Sequence, residues 1–325
     1  MKPDVSVVVV SFNTHELLRE CLRTVYAQSG IALEVIVVDN ASRDGSLEMV
    51  QSQFPSVRTI ASDRNLGFAA ANNAGFAIAS GRYVVLLNSD AFLRPGTLAR
   101  AVALMEAHPN AGLAGGLLVG RDGALQPSAR LFPSLLNEIL CFTGLSSKFP
   151  RSRFFGRTDR TWADPTQAAV TDWVPGAFSI IRRETLEKVG YFDEQFFLYY
   201  EEVDLCRRIK AIGYEIAYWP ELVVTHIGGE SSKTVKRLQL STNGSQLTLW
   251  RMRSELLYYR KHHSSFARWA MFAEGLWHWM RMAKNRLSTG AQALEKAQES
   301  SAVLQLWSRA WSETNGGRVS PTRPW

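Results

Sequence analysis

The sequence predicts an α/β fold of the doubly wound type, in which a mostly parallel central sheet is flanked by helices. Apolar, β-branched runs of strand length, such as VSVVVVS (5–11) and RYVVLLN (82–88), lack the alternation that marks a half-exposed strand. Segments with helical periodicity separate these runs along the chain. Strands that are apolar on both faces need helices on both sides of the sheet, and an alternation of strands and helices supplies them.

Each element of the N-terminal half is predicted from its own local pattern. The predicted strands are VSVVVVS (5–11), EVIVVDN (34–40), VRTIAS (57–62) and RYVVLLN (82–88). The predicted helices are the amphipathic HELLRECLRTVYAQ (15–28), SLEMVQSQF (46–54) and the alanine-rich GFAAANNAGFAIAS (67–80). Successive strand–helix units place their strands parallel to one another in the predicted sheet.

The C-terminal part of the chain differs in composition from the rest. The formal net charge of the whole sequence is +7, and the stretch from Gly228 to Trp325 holds 15 Lys and Arg residues against 6 acidic residues. Seven of the ten tryptophans lie in the same stretch. This shift predicts a domain of residues 1–227, a basic, Trp-rich helical extension over 228–312 and a disordered tail over 313–325.

Size and cysteine content restrict the class of protein. With 325 residues, of which 46% are hydrophobic and 21% charged, the chain has the composition of an ordinary globular protein. Cys21, Cys141 and Cys206 are odd in number and form no CxxC pair, which favours neither a disulfide framework nor a cysteine zinc site. A reducing cytosol suits such a chain. The apolar run in the N-terminal MKPDVSVVVVSFN is too short for a secretory signal, so we expect a cytoplasmic protein.

Polar residues follow each of the predicted strands. These groups are Ser11-Phe12-Asn13, Asp39-Asn40, Ser62-Asp63 and Asn88-Ser89-Asp90. Ligands of doubly wound sheets bind beyond the carboxyl ends of the strands, so we expect these side chains to line one site. The SFNTHE segment after the first strand has no glycine, which argues against a Rossmann dinucleotide site, and no GxxxxGK[ST] phosphate loop occurs.

Five blocks of the sequence carry a likeness to a known family. The blocks are VSVVVVSFN, VIVVDNASRDGS, NLGFAAANNAGFAIASGRYVVLLNSD, WVPGAFSIIRRETLEKVGYFDEQFFLYYEEVDLCRRIKAIGY and VVTHIGG. In order and spacing they resemble the family 2 glycosyltransferases of the GT-A fold, and among these the rhamnosyltransferase-like branch. The likeness covers roughly residues 4 to 230. It implies a nucleotide-binding half over about 1–115 and an acceptor-binding half over about 116–227.

The resemblance implies a divalent metal site at the end of the fourth strand. Asp90 stands where the family carries the last acid of its DxD motif, which binds a metal on the sugar-nucleotide diphosphate. Mg²⁺ or Mn²⁺ needs only one or two carboxylates when phosphates and water complete its shell, although here Asn88 replaces the first acid. His226 matches a histidine that completes the metal shell in some relatives. The alternatives are that Asp90 caps a helix starting near Pro95 and that His226 is structural.

The resemblance also implies that Asp39 hydrogen-bonds the nucleobase or ribose of the donor. The other residues implied in this nucleotide pocket are Ser11, Asn13, Asp63, Asn65, Gly67, Asn72 and Ser89. Asp39 heads NASRDGS, a favoured turn composition, so the alternative is that it begins an Asx turn. Gly67 permits close approach of a ligand, whereas Asn65 and Asn72 either contact the ligand or cap the following helix.

The block FFLYYEEVDLCRR places Glu201, Glu202 and Asp204 at the start of a predicted helix. Acids in a first turn interact favourably with the helix dipole, which accounts for some of them. In the family this block reads Glu-Asp-x-Asp, and its second acid deprotonates the acceptor hydroxyl. The resemblance therefore implies that Glu202 is the base, with Glu201 as the second candidate. A base of this kind has to reach hydrogen-bonding distance of the hydroxyl.

The segment DWVPGAF resembles the family's loop beneath the acceptor sugar. Gly176 belongs to this loop, and Trp173 either stacks on a sugar ring or packs in the core. The resemblance as a whole implies an inverting, metal-dependent glycosyltransferase. Its expected donor is a nucleotide sugar, best matched by dTDP-rhamnose, and its expected acceptor is a hydroxyl of a surface glycan or of a polyprenyl-linked precursor. We expect no nucleic-acid partner.

Two other classes of function compete with this interpretation. A nucleotidyltransferase would also bind a metal at a strand end, but SFNTHELLRE lacks the Gly-rich loop expected after its first strand. A catalytically silent subunit that binds a sugar nucleotide or a glycan is the second alternative. The joint presence of Asp39, Asp90 and Glu202 argues against it.

The extension contains FARWAMFAEGLWHWMRMAK, which predicts a helix with an aromatic stripe. Its apolar residues at helical spacing are Phe266, Trp269, Ala273, Leu276, Trp277 and Met280. Charged residues interrupt the segment, so we expect no membrane-spanning helix. A basic helix with Trp and Phe suits a position on anionic lipid, here at the inner face of the plasma membrane. The alternative is a helix that packs on the catalytic domain or in a homodimer.

Overall fold

The structure is a computed structural model, and it describes residues 2–228, 245–263, 266–288 and 290–321. These residues form two compact units. The first unit contains 2–132, 159–194 and 201–228, and the second contains 133–158, 195–200 and the described residues from 245 onward. The second unit thus includes two segments, 133–158 and 195–200, that the sequence analysis assigned to the N-terminal domain.

The elements follow the predicted alternation of strands and helices. The chain begins with β1 (Val5–Ser11), α1 (His15–Tyr26), β2 (Leu33–Asp39), α2 (Ser46–Gln53), β3 (Arg58–Ala61), α3 (Gly67–Ile78) and β4 (Tyr83–Asn88). It continues with β5 (Ala91–Leu93), α4 (Thr97–Ala107), β6 (Ala111–Val119), β7 (Leu125–Gln126), α5 (Leu135–Phe142), α6 (Leu145–Lys148), β8 (Ala169–Thr171), β9 (Phe178–Arg182) and α7 (Arg183–Val189). The last elements are α8 (Glu201–Ala211), β10 (Glu215–His226), α9 (Ser245–His263), α10 (Phe266–Arg286) and α11 (Ala291–Glu313).

One sheet runs through the described part of the first unit. Its strand order is β3-β2-β1-β4-β9-β6-β10-β5, with β7 beside β6 and β8 beside β10. The pairings among β1 to β4 are parallel, and so is the long pairing of β6 with β10. Each antiparallel pairing involves β5 or a later strand. The prediction of a GT-A type, mostly parallel sheet between helices is confirmed.

The core of the first unit lies on both faces of this sheet. Four valines of β1 have no exposed surface, namely Val5, Val7, Val8 and Val9. Helix α1 buries the face made by Leu18, Cys21, Leu22 and Val25, which recur three and four residues apart as the amphipathic pattern requires. Each buried aliphatic side chain of this kind contributes about 1.5–3 kcal/mol. This packing holds the strand ends, and the polar residues that follow them, in fixed positions.

The second unit is helical. Its core contains Leu249, Met252 and Leu256 of α9 together with Trp307 and Ala310 of α11. Helix α10 turns a set of large apolar side chains outward, comprising Trp269, Phe272, Leu276, Trp279 and Met280. Within the described residues, no helix combines the length and the apolar character needed to span a membrane.

The predicted disorder over 313–325 is wrong for the part of this tail that the structure describes. The Thr314 side chain is fully buried, and its Oγ1 donates to the carbonyl of Ala310 at 2.7 Å and accepts from Gly317 N at 3.0 Å. Ser320 Oγ donates to the carbonyl of Gln195 at 2.7 Å. The polar, Gly-rich composition here forms a helix end and a turn, because its polar groups find backbone partners. Residues 322–325 lie outside the described residues.

Candidate active site

The carboxyl ends of β1, β2 and β4 meet at one edge of the sheet. The parallel register sets Ser11 beside Asp39, and the backbone N–H of Asn40 donates to the Ser11 carbonyl at 2.8 Å. A chain of hydroxyls crosses this edge, since Thr14 Oγ1 lies 3.1 Å from Ser11 Oγ and donates to Ser89 Oγ at 2.9 Å. Ser11, Ser89 and Asp39 are therefore brought together, as their places after the strands predict.

Asp39 is buried, and its two carboxylate oxygens have different surroundings. Oδ2 accepts from the backbone N–H of Ser42 at 3.0 Å, which is the turn contact that the alternative interpretation expects. Oδ1 is buried and has no hydrogen-bond partner among the described residues. A buried acceptor without a partner costs free energy, so this oxygen is suited to a donor group on a ligand. The turn therefore occupies one oxygen and leaves the other available for the predicted nucleotide contact.

Asn13 uses its polar groups to hold the loop that follows β2. Its backbone N–H donates to Ser42 Oγ at 3.0 Å, and its Oδ1 accepts from the backbone N–H of Arg43 at 2.8 Å. Its φ of 53° lies in the left-handed region, which asparagine tolerates better than most residues. Asp63 is exposed after β3. The nucleotide contact predicted for Asn13 and Asp63 stays a prediction.

At the start of α3, the contacts of Asn65 agree with the interpretation that it caps the helix. Its Oδ1 accepts from Gly67 N and from Asn40 Nδ2, both at 2.9 Å. Gly67 has a φ of 85°, so a residue without a side chain suits this position. Asn72 is fully buried and donates from Nδ2 to the carbonyl of Phe68 at 2.9 Å, while its Oδ1 has no partner within the described residues. These contacts are structural for Asn65 and leave one acceptor open on Asn72.

Asp90 and His226 lie side by side because β5 pairs with the end of β10, where His226 is opposite Ala91. Asp90 Oδ1 is 3.5 Å from His226 Nε2, and Asp90 Oδ2 accepts from the backbone N–H of Gly228 at 3.1 Å. Asn88 Nδ2 is also 3.5 Å from His226 Nε2, and Asn88 Oδ1 is buried without a partner in the described part of the chain. One carboxylate oxygen of Asp90, one imidazole nitrogen of His226 and the side-chain amide of Asn88 thus lie near one another.

This group of atoms fits a divalent cation whose remaining ligands come from phosphate and water. Carboxylate and amide oxygens suit Mg²⁺ and Mn²⁺, and an imidazole is acceptable to Mn²⁺. The described residues contain no cluster of three or more His, Cys, Asp and Glu side chains that would enclose a metal alone. The capping alternative for Asp90 is not observed, because α4 begins at Thr97 with Gly96 as its N-cap.

Glu201 and Glu202 begin α8 and form a buried carboxyl pair. Burial raises the pKa of both carboxyls, and the neighbouring Glu202 raises that of Glu201 well above its usual range. The hydrogen bond between the two side chains, the Arg130 guanidinium and the Gly176 N–H all oppose the rise in the pKa of Glu202. Both carboxyls are therefore harder to ionise than exposed ones. The Oε2 atoms of both side chains have no partner among the described residues.

The other acid of this block has a structural contact. Asp204 is fully buried and accepts from Arg208 Nε at 2.8 Å within the same helix. Two consecutive residues before the helix, Tyr199 and Tyr200, have positive φ values of 70° and 71°. Bulky side chains rarely adopt this conformation, and such strain clusters at functional sites. The backbone thus enters α8 through a turn that the sequence pattern gave no reason to expect.

Trp173 is mostly enclosed. Its Nε1 donates to the carbonyl of Leu131 at 2.9 Å, and the Arg130 guanidinium lies over its ring at 4.5 Å from the centroid. Arg130 in turn pairs with Asp159 at 2.5 Å. One face of the indole is therefore occupied by Arg130, which agrees with the core interpretation. Stacking of a sugar on Trp173, and the acceptor contact of Gly176, stay predictions.

Sequence reasoning missed Arg130 and Gln126. Gln126 binds His226 through both ends of its side-chain amide, and Arg130 acts on Glu202. No motif identified either residue, because Gln126 lies on the two-residue strand β7 and Arg130 lies in the loop that follows it. A cavity of about 240 Å³ is lined by Gln126, Ser128, Asp159, Arg160 and Tyr218, among others, and contains none of the predicted site residues.

The Glycosyl transferase family 2 model matches residues 6–207, and the chain belongs to that family. The family predicted from the five sequence blocks is confirmed.

Three known proteins illustrate the likeness. The N-acetylglucosaminyl-diphospho-decaprenol L-rhamnosyltransferase of Mycobacterium tuberculosis (strain ATCC 25618 / H37Rv) is 28% identical over 231 residues, which is 68% of this chain and 75% of that protein. Rhamnosyltransferase WbbL of Escherichia coli (strain K12) is 25% identical over 242 residues, covering 71% of this chain and 86% of that one. The solved mannosyltransferase PcManGT from Pyrobaculum calidifontis, in complex with GDP-Man and Mn²⁺, has a TM-score of 0.54 at 20% identity, covering 98% of this chain and 85% of that chain. The likeness to this solved structure supports the predicted GT-A fold.

Proposed function

We propose that this glycosyltransferase is inverting and transfers L-rhamnose from dTDP-rhamnose to a hydroxyl of a surface glycan or of its polyprenyl-linked precursor. The single observation that carries the inverting mechanism is the Glu201–Glu202 pair at the start of α8, in which the two side chains are hydrogen-bonded to each other and their Oε2 atoms have no partner among the described residues. The choice of rhamnose is supported by the rhamnosyltransferases at 25% and 28% identity.

In this mechanism Glu202 accepts the proton of the acceptor hydroxyl through its open Oε2. The acceptor oxygen attacks the anomeric carbon of the donor sugar as the bond from that carbon to the diphosphate breaks. No covalent intermediate with the enzyme is therefore needed. Glu201 is hydrogen-bonded to Glu202 and so orients that side chain. Correct placement of a base of this kind contributes about 10²–10⁴-fold to the rate.

Asp90 and His226 would hold a divalent cation, for which the Mn²⁺ of the mannosyltransferase structure is a precedent. Such a cation neutralises charge on a departing diphosphate. The open Oδ1 of Asp39 would accept a hydrogen bond from the base or ribose of the donor. Ser11 and Ser89 line the same edge, where the Thr14 hydroxyl links their hydroxyls.

The experiment that tests this function is a thermal-shift panel of UDP-, dTDP- and GDP-sugars with and without Mn²⁺, followed by transfer assays with the donor that binds. We expect the largest stabilisation from dTDP-rhamnose with Mn²⁺, because a bound ligand stabilises the folded state by mass action. If another sugar nucleotide stabilised the protein more than dTDP-rhamnose does, the proposed donor would be wrong. Binding without any transfer would favour the silent subunit, and nucleotidyl transfer from a nucleoside triphosphate would favour the other alternative.

The exposed face of α10 supports a position on the membrane surface. Trp269, Phe272 and Trp279 are 59%, 60% and 56% exposed, and the exposed cations Lys284 and Arg286 end the helix. Large aromatic residues beside basic ones suit the interface of an anionic bilayer. This location is the proposed one for an enzyme whose acceptor is lipid-linked.

Vesicle co-sedimentation tests this location. We expect the full-length protein to bind anionic vesicles at low salt, and the double variant Trp269→Ser, Trp279→Ser to bind about 100-fold or more weakly, because each large apolar side chain buried in the interface contributes about 1.5–3 kcal/mol. Phe154→Ser removes an aromatic side chain that is 51% exposed elsewhere and serves as the matched control. A full-length protein that ignores vesicles but loses dimers in the double variant would make this face a homodimer interface and overturn the membrane proposal.

A further inference from the structure

We propose that Gln126 is a positioning residue that holds His226 in the one tautomer able to bind a divalent cation. The inference rests on the proposed metal role of Asp90 and His226, and it assigns Gln126 a function that neither the sequence motifs nor the family likeness indicates. Its basis is that a single side-chain amide contacts both the backbone and the ring of His226.

The two contacts determine which ring nitrogen carries the hydrogen. Gln126 Nε2 lies 2.8 Å from the backbone carbonyl of His226, and since a carbonyl can only accept, this end of the amide must be the NH₂ group. Gln126 Oε1 then faces His226 Nδ1 at 2.8 Å, and an amide oxygen can only accept. Nδ1 therefore carries the hydrogen. The Nε2 atom of the neutral ring keeps its lone pair, and Asp90 Oδ1 and Asn88 Nδ2 each lie 3.5 Å from it.

The amide of Gln126 is itself held in place by its backbone. Gln126 pairs with Leu118 in the antiparallel β6–β7 ladder, and its carbonyl accepts from Ser128 Oγ at 2.8 Å. Ser128 Oγ also accepts from the backbone N–H of Leu118 at 3.1 Å. The turn between β6 and β7 is closed by a hydrogen bond from Gly120 N to the carbonyl of Ala124 at 2.8 Å. The hairpin thus presents the glutamine to His226 in one position.

Loss of this amide would allow the imidazole to rotate or to adopt the other tautomer. In that tautomer an N–H at Nε2 points to Asp90 and donates to the carboxylate oxygen that the cation needs. Histidines that bind metals commonly donate their second ring N–H to an oxygen, and removal of that partner typically weakens metal binding about 10–100-fold. Here the partner of the second ring N–H is the uncharged amide of Gln126. It fixes the tautomer without adding negative charge to the site.

The test measures Mn²⁺ binding to the full-length protein by electron paramagnetic resonance, with Mg²⁺ as competitor. Gln126→Met keeps the approximate length of the side chain but removes both hydrogen bonds, and we expect it to weaken Mn²⁺ binding about 10–100-fold. Mg²⁺ accepts imidazole poorly, so its affinity should fall less and the preference for Mn²⁺ should shrink. Gln126→Glu retains an acceptor for Nδ1–H and loses the donor, so we expect an intermediate affinity. Gln167→Met, a change to an exposed glutamine lining the same cavity, is the matched control and should bind Mn²⁺ normally.

The double variant Gln126→Met, His226→Ala distinguishes positioning from a general structural role. If Gln126 acts through His226, the double variant binds Mn²⁺ no more weakly than His226→Ala alone. Additive losses, or equal losses of Mn²⁺ and Mg²⁺ affinity in Gln126→Met, would overturn the inference. If His226→Ala itself leaves Mn²⁺ binding unchanged, the proposed metal site is wrong. If His226→Ala weakens binding while Gln126→Met does not, only the role of Gln126 is wrong.

Discussion

The two units each contain a group of buried acids, and the groups differ in how their oxygens are paired. In the first unit, Glu201 and Glu202 keep Oε2 atoms without partners among the described residues. In the second unit, Glu255 pairs with Arg251 at 3.1 Å, and Glu138 accepts from the Tyr259 hydroxyl at 3.3 Å. Burial raises the pKa of Glu255 well above its usual range, as it does for Glu201. A raised pKa therefore does not by itself mark a catalytic carboxyl.

The open oxygens are the feature that separates the two groups. Buried carboxylate oxygens almost always find partners, so an unpaired one is suited to a donor on a ligand or a water molecule. Asp39 shows the same feature at the nucleotide edge through its Oδ1. The first unit retains unpaired acceptors where substrate is proposed to bind, whereas in the second unit Glu255 and Glu138 are paired with Arg251 and Tyr259.

The largest expected effect comes from removing the proposed base. Glu202→Gln keeps the size of the side chain but cannot accept a proton, so kcat should fall by about 10²–10⁴-fold while donor binding persists. Steady-state kinetics and donor titration measure the two quantities. Glu255→Gln is the matched change in the second unit and should leave kcat unaltered. If Glu201→Gln were the inactive variant and Glu202→Gln remained active, the base would be Glu201.

A second effect tests whether Asp90 acts through its charge. Asp90→Asn keeps an oxygen that can accept from Gly228 N but removes the negative charge, so kcat/KM should fall by about 10²-fold or more, the value of several kcal/mol of charge stabilisation. Mn²⁺ titration of activity and circular dichroism of the variant check the cause. An Asp90→Asn enzyme as active as the unmodified protein, with Asp90→Ala unfolded, would make Asp90 a structural residue.

The strands and the acids at their ends could be predicted because the information is local. Apolar runs define β1, β2 and β4, and a doubly wound sheet brings their ends together, which places Ser11 beside Asp39. Gln126 could not be predicted in this way. It lies on a strand of two residues, and its partner His226 is 100 residues further along the chain. Only the packing of β10 beside β6 brings the two residues together.

The second unit shows the same limit of local reasoning. Its basic, Trp-rich composition predicted helices, and α9, α10 and α11 are present. The segments 133–158 and 195–200 belong to the same unit although nothing in their composition connects them to it. The contact of the Tyr259 hydroxyl with Glu138 joins residues 121 positions apart, so it depends on tertiary structure rather than on any short pattern.

A smaller effect is expected at the nucleotide edge. Asp39→Asn replaces the open Oδ1 or its partner oxygen by an NH₂ group, which removes a charged hydrogen bond worth about 1.5–3 kcal/mol and should weaken dTDP binding about 10–100-fold. Isothermal titration measures the affinity. Asp44→Asn is the control, because both oxygens of Asp44 are already occupied by Ser46 N and His15 N. Equal losses in the two variants would indicate that Asp39 only shapes the turn.

The smallest effect concerns the pH dependence set by Arg130. Burial raises the pKa of Glu202, and the Arg130 guanidinium opposes that rise. Since the base acts in its ionised form, kcat/KM should increase with pH through the pKa of Glu202. Arg130→Met removes the positive charge, so the pKa should rise further and the acid limb of the profile should move to higher pH, with activity restored on the alkaline side. Arg130→Lys keeps the charge and should move the limb less. Because Arg130 also pairs with Asp159 and covers Trp173, a structural loss would lower the rate at every pH without moving the limb. If Arg130→Met lowers the rate at every pH without moving the acid limb, the charge of Arg130 does not tune the pKa of Glu202. Equal shifts of the acid limb in Arg130→Met and Arg130→Lys would lead to the same conclusion.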